Sequence, residues 1–189
     1  MAIHVFTDIH CTRVSSHTLQ APHLYPMTTA ETLAASLDAA RNYTRYYFSK
    51  LKGQDLHRAF TCDGRELNTA YWLMAHVTSS ENWLILRGTG GDLVKLPWAK
   101  LFNVGRTPPR PDELPPIEDI LAASKEVHEK ALAHLRGLGD ADLAQPHQAM
   151  MDLGGDDTCM EVVLHAIRHE AGHAGQLGTL CKLYGVETI

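Results

Sequence analysis

The sequence predicts an all-α protein, a four-helix bundle with long connections and an extra N-terminal segment. Apolar residues recur at spacings of three and four in four separate segments, capping signals open those segments, and no segment alternates with period two. Residues 27–189 are assigned to the bundle. Residues 1–26 carry no such stripe and read as an arm or extension.

The first helix opens at Thr28, where Thr28-Thr29-Ala30-Glu31 has the form of a capping box. Its stripe is Leu33, Leu37, Ala40, Thr44, Tyr47, Phe48 and Leu51, and Gly53 ends it. The second follows Asp63-Gly64-Arg65-Glu66, places Trp72, Leu73, His76, Ser80, Trp83 and Leu84 on one face, and stops at Gly88. The third follows Pro115-Pro116, with Glu118 and Asp119 where the positive end of the helix dipole favours acids; its stripe runs from Ile117 through Val127 and His128 to Leu135. The fourth opens at Thr158-Cys159-Met160-Glu161, a second capping box, and continues to Tyr184 before Gly185. Six of the nine prolines fall in the connection 88–116, whose Leu93, Val94, Leu96, Trp98, Leu101 and Phe102 are too apolar for idle exposure. They are expected to pack over an opening or against a second subunit. Residues 137–157 form the other long connection.

Composition narrows the function classes. A chain of 189 residues, 44% hydrophobic and 21% charged, fits one domain with a sizeable core. A net charge of −5 offers no basic stripe for nucleic acid or an acidic membrane surface. No apolar run is long enough to span a bilayer, and no signal peptide is visible, so a cytoplasmic location is expected. Cys11, Cys62, Cys159 and Cys181 form no CxxC pair and read as reduced thiols.

The chemistry concentrates in the histidines, of which there are twelve. His4, His10, His17 and His23 lie in the N-terminal segment without ligand spacing. On the fourth helix, His165, His169 and His173 recur every four residues. Four residues turn about 400°, so His169 and His173 leave one face one turn apart and can chelate one transition metal. That face continues through Gln176, Leu177 and Leu180 and should point inward, where a buried imidazole pair needs a partner. His76, midway along the second helix among tryptophans, is the third candidate ligand. His165 lies a turn too early to share the same ion and reads as supporting. Gly172, Gly175 and Gly178 imply either a close neighbouring helix or space kept beside the ligands.

His169-Glu170-Ala171-Gly172-His173 is also HExxH, in which a glutamate serves as general base beside zinc. The longer protease motif would need glycine at Gln176 and histidine at Thr179, Glu187 is the sole later carboxylate, and no strand offers an edge to a peptide. A protease of that architecture is therefore disfavoured. Glu170 stays the candidate base, and Gln176, Trp72, Trp83 and Tyr47 are candidate pocket residues.

His76 opening HVTSSENWL, followed on the last helix by His169, His173 and the Gly175-Gln176 pair, resembles the DinB-like metal-binding bundle family over residues 28–186. The resemblance implies that His76, His169 and His173 bind a divalent metal, zinc or nickel, and that the bundle forms a homodimer. It also implies a small-molecule substrate, handled by a metal-dependent hydrolase or by an S-transferase or isomerase using a low-molecular-weight thiol. Ala174 departs from the arginine many relatives carry. A non-catalytic dimeric protein with a structural metal is the competing expectation.

Overall fold

The computed structural model describes residues 26–103 and 110–188. Residues 1–25, and with them the expected N-terminal arm and its histidines, lie outside the described residues. The main helices are α1 (Thr29–Lys50), α2 (Ala70–Glu81), α3 (Ile117–Arg136) and α5 (Cys159–Leu183), with a four-residue α4 (Asp140–Leu143) in the second long connection. Among the described residues the bundle is all-α apart from a hairpin of two two-residue strands, β1 (Thr61–Cys62) with β2 (Arg65–Glu66).

Local chemistry sets the boundaries. At α1 the capping box is complete: the Glu31 amide donates to the Thr28 hydroxyl at 3.1 Å, and the Thr28 amide donates to the Glu31 carboxylate at 2.7 Å. At α5 only half of it forms, because Glu161 takes Arg168 at 2.5 Å instead of returning to Thr158. Thr69 caps α2, a signal the sequence reading passed over. Asp63 and Gly64 both have positive φ, 50° and 71°, which is the backbone a tight hairpin turn needs.

Two apolar clusters fill the two ends of the bundle. One joins Leu33 and Leu37 of α1 to Leu84 and Ile85 after α2, Leu135 of α3 and Val162 of α5; the other joins Leu51 to Leu73, Ile120 and Leu180. The start of α1 therefore lies beside the start of α5 and the ends of α2 and α3. Thus α1 and α5 run parallel, α2 and α3 run against them, and the neighbours round the bundle are α1, α5, α2 and α3. Between the clusters lies a polar waist of residues 38–44 of α1, 76–81 of α2 with the following Asn82, and 169–174 of α5, with Ser124 and His128 of α3.

The described residues of the connection up to Asn103 close over this body. Val94 packs into the first cluster, Trp98 and Phe102 into the second, and Leu96 touches both, whereas Leu93 and Leu101 remain exposed. Beyond Glu81 the helix widens into a π-helical segment, Asn82–Arg87. Trp83, the second residue of that segment, lies two turns, about 10 Å, along the helix from His76.

Candidate metal centre

His76 on α2 meets His169 and His173 on α5 where the two antiparallel helices pass at the waist. Burial is deep for His76, at 4% exposure, and partial for the other two. One ring nitrogen from each histidine lies within 4.8 Å of the others. His169 Nε2 stands 3.1 Å from His76 Nε2 and 3.1 Å from His173 Nε2. Two nitrogens bound to one tetrahedral zinc at about 2.1 Å stand roughly 3.4 Å apart, so the three rings are already close to ligand spacing.

The outer nitrogens fix which atoms face inward. His76 Nδ1 donates to the Phe102 carbonyl at 2.8 Å, and His173 Nδ1 donates to Gln176 Oε1 at 3.1 Å. With the proton on Nδ1, both rings present an Nε2 lone pair to His169, the arrangement that holds metal-ligating histidines in their tautomer. His169 can donate its own Nε2 proton to only one of them. A lone pair is left facing another nitrogen, and a shared cation resolves the conflict for all three. Burial lowers the His76 pKa below the usual imidazole range. The His169 pKa falls to about 3, chiefly through burial and then through His173 and His76, so a proton competes poorly there.

The donor set, the spacing and the fixed tautomers describe a site that can hold a metal ion. A family model described as the DinB superfamily matches residues 36–177. The chain belongs to the DinB superfamily. Among curated proteins, none matches it.

Other expected site residues of this DinB-superfamily protein divide. Trp72 stacks on His76 with ring centroids 4.4 Å apart and reaches within 6.4 Å of His173, so it walls the triad. Gln176 orients His173, as above. His165 stacks along His169 with ring centroids 6.1 Å apart. Trp83 does not join them: 40% exposed, its indole donates to the Ala149 carbonyl at 2.9 Å and pins the second long connection. Tyr47 lies elsewhere too. Its ring covers Gly178, where an added Cβ would come within 3.2 Å, and Gly178 is half a turn round α5 from His169. Gly172 and Gly175, by contrast, have nothing near the Cβ position.

Glu170 does not fit the expectation of a general base. It is 2% exposed; one carboxylate oxygen accepts from the Thr44 hydroxyl and the other pairs with Arg41 at 3.1 Å. Arg41, fully buried, also pairs with Glu81 at 2.6 Å and donates to Ser124 Oγ at 3.0 Å. Glu81 takes His128 Nδ1 at 2.6 Å, and His128 Nε2 meets Asp38 at 2.9 Å. His128 thus bridges Glu81 and Asp38, and its hydrogen bond holds Asp38 below the usual carboxylate range.

This network was not anticipated, although a signal existed. Arg41 stands four residues after Leu37, a place on the buried stripe that a charged residue occupies only when paired. The Phe102 carbonyl was missed because backbone groups carry no sequence signature. A cavity of about 850 Å³ lies between α1 and α3, lined by Phe48, Leu51, Met74, Ile117 and Leu121 among others; it touches the Arg41 network at Ser124 and includes none of the three histidines.

Proposed function

We propose that this protein is a metal-dependent enzyme acting on a small molecule, with His76, His169 and His173 holding one divalent ion, zinc or nickel. The observation that carries the reading is the convergence of three imidazole ring nitrogens, two of them oriented by Phe102 and Gln176. When bound, the ion supplies a Lewis acid able to polarise a substrate oxygen or lower the pKa of a thiol. Hydrolysis and transfer of a low-molecular-weight thiol both use that chemistry. Among the described residues no fourth protein ligand joins the triad, which favours a catalytic over a closed structural site.

The chain's own residues do the rest. Trp72 presents an aromatic wall on one side of His76, and Gln176 keeps the His173 ring in place. The test is metal content of the wild type and of His76→Ala, His169→Ala and His173→Ala, each checked for folding by circular dichroism. One equivalent in wild type and substoichiometric metal in each variant is expected. Full metal retention in all three folded variants defeats the reading. Turnover of thiol conjugates against turnover of esters or amides then separates transfer from hydrolysis.

A further inference from the structure

Three contacts converge on one nitrogen of Arg41. Its Nη2 lies 2.6 Å from Glu81 and 3.4 Å from the Val77 carbonyl on α2, and 3.1 Å from Glu170 on α5. Val77 is the residue after His76, and Glu170 is the residue after His169. A single guanidinium from α1 thus ties together the two helices that carry all three histidines, at the level where the histidines sit. Adjacent residues leave a helix about 100° apart, so anchoring Glu170 toward the interior fixes the rotation that aims His169 and His173 at His76.

The anchor is rigid by construction. Both Glu170 oxygens are engaged, Thr44 holding one and Arg41 the other, and Ser124 takes the second guanidinium nitrogen from the α3 side. A carboxylate so committed is poorly placed to take a proton from a substrate. We propose that Arg41 and Glu170 are positioning residues of the metal site, an internal clasp between α2 and α5, and that the glutamate of this HExxH sequence serves as an anchor in place of a base. The inference rests on the metal-binding reading above.

The test compares metal affinity with fold stability in full-length protein, using Zn²⁺ in competition with a chromophoric chelator and Co²⁺ as a spectroscopic probe. Glu170→Gln keeps the shape and removes the charge that grips Arg41; it should lower Zn²⁺ affinity about 10- to 100-fold, the range for orienting partners of metal ligands, and shift the Co²⁺ ligand-field bands. Thr44→Val, a milder release of the same carboxylate, should lower affinity a few-fold in the same direction. His128→Gln is the control, since it damages the same network from α3, which carries no ligand. It should lower the melting temperature while leaving Zn²⁺ affinity and the Co²⁺ spectrum as in wild type.

The proposal is overturned if Glu170→Gln binds Zn²⁺ as wild type does with an unchanged Co²⁺ spectrum, or if His128→Gln loses as much affinity. Should Glu170→Gln fail to fold, Thr44→Val decides by the same two readouts. Wild type and His169→Ala run alongside: if wild type binds no metal, or His169→Ala binds as well, the metal reading falls and the clasp falls with it. A normal wild type beside an unaffected Glu170→Gln removes the clasp alone.

Discussion

Two polar clusters share the waist of this bundle, and they resolve burial in opposite ways. Around Arg41, both buried carboxylates have partners supplied by the protein: Glu81 has the Arg41 guanidinium and the His128 ring, and Glu170 has Arg41 and the Thr44 hydroxyl. Around His169, one residue away along α5, three imidazole Nε2 atoms face one another; the protein supplies partners for the outer nitrogens of His76 and His173 and, among the described residues, nothing for the centre. The first cluster is closed and locks helices together. In the reading proposed above, the second would be completed by a divalent ion, with the buried ion pair beside it positioning the ligands.

The sharpest way to break this contrast is Arg41→Ala, which strands Glu81 and Glu170 in the interior. It should cost about 3–5 kcal/mol in urea unfolding, as expected for removing one partner of a buried pair. A loss under ~1 kcal/mol would mean that the closed cluster is not closed. Gln176→Ala should be gentler and act only on the open cluster, lowering Zn²⁺ affinity roughly tenfold or more through the freed His173 ring, with the melting temperature of the metal-free protein unchanged.

Acid should separate the clusters further. In the folded metal-free protein His169 takes its proton only near 3, whereas the unfolded chain takes it near 6.5. Between those values the unfolded state binds more protons, so stability is full above about pH 6.5 and declines as the pH falls toward 3. Asp38, held low by His128, adds to the same decline at its acid end. Melting of chelator-treated protein from pH 7.5 to 4 measures this, and a flat profile over that range would contradict the buried, neutral His169. The smallest expected effect is Ser124→Ala, about 1 kcal/mol for one hydrogen bond to a charged group that keeps its other partners, read by the same urea titration.

Much of the fold was legible because periodicity and caps are local. Thr28, Thr158 and Gly185 lie where the sequence places them, and the stripes of α1 and α3 reach the core. His76, His169 and His173 were legible as candidates because a four-residue repeat on one helix and an isolated histidine among tryptophans are both visible without coordinates. Trp83 stands two turns beyond His76, and the partner its indole takes, the Ala149 carbonyl, belongs to a connection whose path carries no sequence signature. Tyr47 shares the buried side of α1 yet meets α5 on its far side from the triad, a distinction that depends on helix rotation. Glu170 was misread for a different reason: a motif gives residue spacing, whereas the role depends on Arg41, more than a hundred residues earlier in the chain.

The parallel pairing of α1 with α5 has a consequence for how the protein is made. The first and last described helices form the most extensive helix contact of the bundle, and parallel neighbours cannot be joined by a short turn. A nascent chain therefore carries Arg41, Glu81 and His76 for as long as it takes to synthesise α5, with neither the second carboxylate nor the other two histidines available. Such long-range closure slows folding relative to bundles whose successive helices pack in order. Stopped-flow refolding should show the Trp72 fluorescence change arriving with the formation of α5, since that helix completes the core and the site in the same event.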